Sequence, residues 1–312
     1  MKKLMSVFLA LAVCMGMDTG RIINFPIKWD AEKNTFIIGT KEENTQKNVT
    51  VSTAQELFDA IEPNTIITIK SGIYDLSLIN STVSKYVTAR STAAALMVTG
   101  VDGLILQAES GAEVEFVTPD LFSEVMKFSY CNGITLSGIK AGHSITGAYQ
   151  CDAGVVWFDN SSDITIDNCL FYGCGSIGIR LWDCVYAQIS DTTVTDCSLR
   201  AVDIAQSEHI VFTGCSFIDN RAYGCIIYGS NSIAEFTDCE ISGNKSLEWS
   251  CVEFTGKVLF ERCVFLDNAL IDGSNPMFAG SEITLRDCEI ENSNFSAYWN
   301  YGVIDLGGNV LN

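Results

Sequence analysis

Basic residues are scarce in this 312-residue chain. Lys and Arg together number 19 against 38 for Asp and Glu, so the formal net charge is −19. A surface this acidic repels phosphate backbones, which argues against nucleic acid as a partner. Charged residues make up only 18% of the chain and hydrophobic residues 47%, and this composition excludes an intrinsically disordered protein.

Histidine is also scarce, although cysteine is not. The chain has two His and 13 Cys, and no two cysteines are spaced as C-x-x-C. Zinc and iron–sulfur sites require clustered cysteine and histidine ligands, so we expect no metal bound by these residues.

No apolar run in the chain is long enough to span a bilayer, and this includes the first one. The basic start Met1-Lys2-Lys3 precedes an apolar run from Leu4 to Val13, which is too short to span a bilayer. We interpret residues 1–17 as a secretory signal segment, so we expect an exported protein that is secreted, periplasmic or on the cell surface. A buried N-terminal strand in a cytosolic protein is the alternative.

Two processing sites compete within this segment. Ala10-Leu11-Ala12 fits a small-x-small cleavage site. The tetrapeptide Leu11 to Cys14 instead resembles a bacterial lipobox, in which Cys14 would carry the lipid and tether the protein to a membrane. Val13 departs from the small residue that this motif expects before its cysteine.

A repeat of about two dozen residues dominates the chain from residue 131 onward. Its template is apolar-x-apolar-polar-turn-Cys-x-apolar, and one column of it steps by 23, 23, 24, 24 and 25 residues. The column is Cys169, Thr192, Cys215, Cys239, Cys263 and Cys288. Apolar residues alternate with period 2 inside each copy, which predicts strands with one buried face. Such strands bury that face when successive copies stack.

A second alternating strand recurs in each repeat. It is seen in the triplets that begin at Val156, Ile179, Val202, Ile226, Val252 and Ile304. Three short strands per coil, joined by turns, predict a solenoid.

Residues 50 to 308 resemble the right-handed parallel β-helix, or pectin-lyase-like, superfamily. The repeated Ile-x-Ile-x-Asn-Cys-x-Phe pattern carries the resemblance, together with the segment from Ser52 to Ile61, which is similar to the helix that plugs the N-terminal end of such coils. Ser52 and Gln55 have the spacing of a capping box, and Ala54, Leu57, Phe58 and Ile61 form one apolar stripe.

The expected fold is therefore all-β: a single-stranded right-handed parallel β-helix with three short strands per coil and a short N-terminal capping helix. We assign it to residues 51–312. Residues 18–50 are interpreted as an N-terminal extension, in which the apolar patches Ile22 to Ile27 and Thr35 to Ile38 are expected to add a strand or two to the first coil.

The cysteine column is interpreted as packing, because a buried cysteine behaves as a small hydrophobe. Disulfides between adjacent coils are the alternative, with Cys174–Cys197 and Cys225–Cys251 as the equivalent pairs. Export would permit their oxidation. We expect mostly reduced, buried thiols.

The middle residue of each second-strand triplet is expected to point outward. Read along the coils, this predicted column is Lys127, Trp157, Arg180, Asp203, Ile227, Glu253 and Asp305. The resemblance implies that glycan sites lie on the equivalent face. Aromatic rings in nearby loops offer flat apolar platforms for sugar rings. The predicted binding residues are Lys127, Trp157, His143, Tyr149, Trp249 and Trp299.

Three functions remain open. The first is an exported or cell-surface protein that binds polysaccharide on this face. The second is a polysaccharide lyase or inverting glycoside hydrolase that acts on acidic glycans through Arg180, Asp203 and Glu253, with Ca²⁺ held by the acids as a possible cofactor. Asp203 and Glu253 lie two coils apart, roughly 10 Å at the backbone, which is compatible with the inverting geometry. The third is a structural or adhesion module.

The sequence lacks the catalytic motifs of known β-helix enzymes, which does not favour catalysis. The Asn-Thr-Asp and Gly-His-Gly motifs of polygalacturonases are absent, as are the Asp-His and Arg-x-Pro motifs of pectate lyases. A salt-bridged pair of Arg180 and Asp203 on neighbouring strands would need no function at all.

Overall fold

The computed structural model describes residues 27–30, 35–38, 46–145, 151–245, 247–271, 273–291, 294–299 and 302–312. The chain divides into two units, the second of which is Gln46–Asn312. Within the first unit, Ile27–Asp30 and Thr35–Ile38 pair antiparallel in a two-stranded sheet of their own. We expected these residues to extend the first coil, but they form a separate hairpin.

The described residues form one α-helix, one 3₁₀ turn and 29 strands. The helix is α1 (Ala54–Ala60), a 3₁₀ turn covers Leu76–Leu78, and the strands are β1 (Ile27–Asp30), β2 (Thr35–Ile38), β3 (Lys47–Val51), β4 (Thr65–Ile69), β5 (Gly72–Asp75), β6 (Val87–Ala89), β7 (Ala94–Thr99), β8 (Asp102–Ala108), β9 (Val114–Thr118), β10 (Glu124–Ser129), β11 (Asn132–Ser137), β12 (Ile139–His143), β13 (Val156–Asp159), β14 (Ser162–Asp167), β15 (Leu170–Cys174), β16 (Ile177–Trp182), β17 (Val185–Ser190), β18 (Thr193–Cys197), β19 (Arg200–Ala205), β20 (Glu208–Thr213), β21 (Ser216–Ile218), β22 (Ile227–Thr237), β23 (Glu240–Ser242), β24 (Val252–Glu261), β25 (Val264–Leu266), β26 (Phe278–Arg286), β27 (Glu289–Ile290), β28 (Val303–Asp305) and β29 (Val310–Leu311).

Three short strands form each coil, as predicted. In one coil β13, β14 and β15 each pair in parallel with β16, β17 and β18 of the next. The third strand of every coil belongs to a ten-stranded sheet, and the other two belong to a 17-stranded sheet. The first and second strands of a coil share that sheet because they are continuous with each other in β22, β24 and β26. The fold is the predicted all-β parallel β-helix.

The repeat column stacks in register, as predicted. The residues that follow its members pair from coil to coil: Leu170 with Thr193, Thr193 with Ser216, and onward to Glu289. The thiol of Cys239 donates to the carbonyl of Thr237 at 3.4 Å, which satisfies its single donor inside the core. Burial raises the pKa of the Cys169 thiol to about 11. These cysteines pack as small buried side chains.

All twelve cysteines in the described part of the chain are free and buried. Cys174 and Cys197 are register partners with their Sγ atoms 3.0 Å apart. Cys225 and Cys251 are offset by one residue, because Ile227 pairs with Val252.

Aromatic side chains fill the interior in a continuous row. The rings of Phe212, Phe236 and Phe260 stack along the coils with centroids 4.5 and 4.9 Å apart. All three are fully buried. Each Phe occupies the same inward position of its coil, so the row follows directly from the repeat.

The helix α1 closes the N-terminal end, but its cap lies one residue later than predicted. Thr53 is the N-cap, and its Oγ1 accepts a hydrogen bond from the Glu56 amide at 3.1 Å. The Glu56 carboxylate in turn accepts from the Ser52 amide at 2.7 Å. Glutamate accepts this backbone hydrogen bond better than the Gln55 amide of the predicted Ser52–Gln55 box, because it is ionised. The apolar stripe of the helix is buried as predicted. None of the helices in the described ranges is long and apolar enough to cross a membrane.

Candidate functional site

An outward column of side chains runs along the 17-stranded sheet over six successive coils. The strand register places its members in the order Lys127, Trp157, Arg180, Asp203, Tyr228 and Glu253. Five of them were predicted. Parallel strands lie about 4.8 Å apart, so neighbouring members are close enough for their side chains to touch.

Two predicted members of the column are wrong. Ile227 is fully buried and Tyr228 takes its place, because β22 begins one residue later than the apolar pair of Ile226 and Ile227 suggests. The amides of both Ile226 and Ile227 donate to the carbonyl of Cys251. Both side chains are buried, and the alternation resumes with Tyr228.

Asp305 is also misplaced in the prediction. It pairs with Leu285, which belongs to the cysteine-repeat portion of β26 and not to the portion that carries the column. Asp305 is therefore exposed, but it does not belong to the outward column.

Two cations cover the ring of Trp157. The Nζ atom of Lys127 lies 3.3 Å from the ring centroid, and the guanidinium carbon of Arg180 lies 4.8 Å from it. Lys127 also lies 3.5 Å from the Asp159 carboxylate. Trp157 therefore holds the two cations in place by cation–π contacts and does not present an open face to a ligand.

The open aromatic surface belongs to Trp182. Its side chain is 45% exposed and its ring stacks against Trp157 with centroids 6.3 Å apart. The indole nitrogen donates to the Gln206 side chain at 3.4 Å. Trp182 follows Arg180 by two residues in the same strand, so period-2 alternation was the signal that could have identified it.

Arg180 forms its ion pair with Glu124, at 3.6 Å, and not with Asp203, its neighbour in the column. The Glu124 carboxyl lies over Gly154, where an added Cβ would come within 2.4 Å of Oε2. Burial raises the pKa of Glu124, and the opposing influence of Arg180, Lys127 and the Gly154 amide is smaller. This carboxyl was not identified from the sequence.

Asp203 pairs with Arg200 of its own strand. The Arg200 guanidinium lies 2.5 Å from the Asp203 carboxylate and stacks 3.9 Å from the Tyr228 ring centroid. Within the described residues Glu253 has no ion-pair partner. Burial raises its pKa, although the Ser250 amide and the nearby charge of Arg200 act in the opposite direction. Arg200 was also missed, since it lies at the start of its strand, outside the alternating triplet.

A shallow groove of about 310 Å³ lies at the centre of this surface. It is lined by Arg180, Trp182, Asp203, Ala205, Tyr228 and Ser230. We call it the Trp182 groove. Its lining offers one exposed aromatic ring beside hydrogen-bonding groups held in fixed positions by ion pairs.

Of the remaining predicted binding residues, those that the structure describes do not line the groove. His143 is 3% exposed and ends β12, in the ten-stranded sheet, so its placement on this face is corrected. Its imidazole contacts the Ser123 carbonyl at 3.2 Å, and burial lowers its pKa. Tyr149 lies outside the described residues. Trp249 is 44% exposed in the turn before β24.

Trp299 occupies an inward position. It forms a bridge with Phe278 and packs against the core, so it follows the buried column of Val252 and Phe278 rather than the outward one. The sequence predicts that the aromatic residues of this loop form a binding platform, but the register gives Trp299 an inward position.

Calcium fits this surface poorly. Asp203 is engaged by Arg200, and no group of three or more His, Cys, Asp or Glu in the described ranges is placed to hold a metal ion. A calcium ion needs several oxygen ligands that converge on one point. We therefore assign no calcium site to the outward column.

The chain is similar to known proteins in fold. The family model for the right-handed β-helix region matches residues 127–311. No curated protein sequence matches the chain.

Three solved structures share the fold at low sequence identity. Pectate lyase Pel9A is 11% identical with a TM-score of 0.58, and the match covers 85% of this chain and 80% of that one. Pectate lyase Bsp165PelA from Bacillus sp. N165, solved with trigalacturonate, is 15% identical with a TM-score of 0.53 over 86% and 91% of the two chains. ORF18 of Geobacillus virus E2 is 13% identical with a TM-score of 0.56, and the match covers 77% of this chain but only 48% of the viral one.

Proposed function

The chain belongs to the right-handed β-helix family, and from that premise we propose that it is an exported protein that binds polysaccharide in the Trp182 groove. The observation that carries the proposal is the exposed ring of Trp182 beside fixed polar groups in one groove. Sugar rings bind where an apolar face and hydrogen-bonding groups lie side by side. Two of the similar structures are lyases of pectate, a polysaccharide.

Export rests on the sequence of residues 1–17, and a lipid anchor on Cys14 is the tethered form of the same proposal. Both lie outside the described residues.

Hydrolysis is the second candidate, and Glu253 is the observation that favours it. An inverting glycoside hydrolase needs one protonated and one ionised carboxyl group. Burial raises the pKa of Glu253, which suits a general acid. Asp203 lies two coils away in the same column and is the second carboxyl group of the pair. The lyase alternative is less favoured, because Arg180 is engaged by Glu124.

Binding is tested on a panel of immobilised polysaccharides with the wild type and Trp182→Ala. An aromatic contact of this kind contributes about 0.5–1.5 kcal/mol, so we expect the variant to bind roughly twofold to tenfold more weakly. Ile73→Ala is the control, since Ile73 is 72% exposed but lies in the ten-stranded sheet.

Equal binding by the wild type and Trp182→Ala would remove the groove from the proposal. Release of reducing ends by the wild type, lost in Glu253→Gln, would establish the hydrolase instead of the binding protein.

A further inference from the structure

Three cations lie on the outward surface around the Trp182 groove, and a carboxylate neutralises each of them. The three pairs are Lys127–Asp159 at 3.5 Å, Arg180–Glu124 at 3.6 Å and Arg200–Asp203 at 2.5 Å. Glu253 adds a fourth carboxyl group without a cation of its own among the described residues. These groups together therefore have no net positive charge, and the net charge of the whole chain is −19.

These pairs are also shielded from water. The six side chains are only 12–22% exposed. At such sites a charge that loses its partner is left without compensation, which is far more costly than the loss of an exposed pair.

An acidic sugar would have to break one of these pairs. A uronate carboxylate that approached Arg180 would displace Glu124, and one that approached Arg200 would displace Asp203. Sugar hydroxyls need no such exchange, since they bind the guanidinium N–H groups and carboxylate lone pairs that the ion pairs leave free.

We infer that the Trp182 groove takes uncharged saccharide units and that the ion pairs exclude polyuronates. The inference rests on the proposed function and specifies its ligand class. Selectivity here comes from an unfavourable interaction with the wrong ligand as well as from contacts to the right one.

Glu124→Gln tests the inference because it frees Arg180 while keeping the size of the side chain. Binding to galactan and to polygalacturonate is measured at low and high ionic strength. The wild type should bind galactan with little salt dependence. Glu124→Gln should gain at least tenfold in binding to polygalacturonate at low salt and lose that gain at high salt, since salt screens the new charge contact.

Glu113→Gln is the matched control. It changes the net charge by the same amount, but its side chain is 89% exposed and lies next to Lys140, away from the groove. Asp203→Asn, which frees Arg200, repeats the test if Glu124→Gln does not fold.

Preference of the wild type for polygalacturonate over galactan would overturn the inference and leave the binding proposal standing. A gain in Glu113→Gln equal to that in Glu124→Gln would also overturn it, because net charge alone would then explain the effect. If no polysaccharide binds to any form, the proposed function and the inference both fail.

Discussion

Replacement of Asn244 by alanine should destabilise the β-helix strongly. Asn220, Asn244 and Asn268 lie fully buried at the same turn position of three successive coils. The side-chain amide of Asn244 donates to the Phe217 carbonyl at 2.9 Å and to Oδ1 of Asn268 at 2.8 Å. Its own Oδ1 accepts from the amide and the side chain of Asn220, both at 3.0 Å.

The substitution removes four hydrogen bonds, and the groups that made them with Asn244 stay buried without that partner. Each bond contributes about 0.5–1.5 kcal/mol net, so the free energy of unfolding should fall by roughly 2–6 kcal/mol. Whole domains are stable by only about 5–15 kcal/mol. The loss is therefore large enough to threaten folding at ordinary temperature.

Urea unfolding monitored by tryptophan fluorescence measures the change. Asn80→Ala is the control, because Asn80 is exposed. A loss below about 0.5 kcal/mol, the range of ordinary surface substitutions, would refute the reasoning. It would mean that the carbonyl of Phe217 and the amide of Asn220 find other partners in the variant.

Two further predictions concern titration and the thiols. Burial raises the pKa of Glu253 in the folded state, so its contribution to stability is lost as pH rises above the unfolded value of about 4.3. Glu253→Gln should therefore have a higher Tm than the wild type at pH 7 and an equal Tm at low pH. Glu208→Gln is the control, because Glu208 is exposed. The twelve described thiols are buried, so a thiol reagent should react slowly with the folded protein. After unfolding it should count twelve thiols in the protein that lacks residues 1–17. A count near ten or lower would reveal a disulfide, with Cys174–Cys197 as the first pair to examine.

The repeat was predictable because one coil has a nearly constant length. Steps of 23 to 25 residues place Cys215, Cys239 and Cys263 in one column, and the register confirms it. The same method failed at Ile227, where two amides share one carbonyl and the alternation shifts. Periodicity identifies a column but not the irregularities of the backbone that interrupt it.

The alternation of residues along a strand could not predict the ion pairs of the site, for a different reason. Arg200 and Asp203 are three residues apart within one strand, whereas alternation brings together residues two apart. Charges near a strand end are oriented by the turn that precedes them. Their partners follow from local backbone geometry, which the repeat does not encode.

Gly154 shows most clearly why the charge of the groove could not be read from the sequence. Glu124 and Arg180 lie on coils separated by the one that contains Gly154 and Trp157. A Cβ at Gly154 would lie 2.4 Å from the Glu124 carboxylate and 2.4 Å from the Ile177 carbonyl. The missing side chain is therefore what allows Glu124 to reach Arg180 across a full coil. Any larger residue there would force the two apart and leave the guanidinium free for an anionic ligand. The proposed ligand class of this surface therefore depends on a position that contributes only its backbone amide and no side chain.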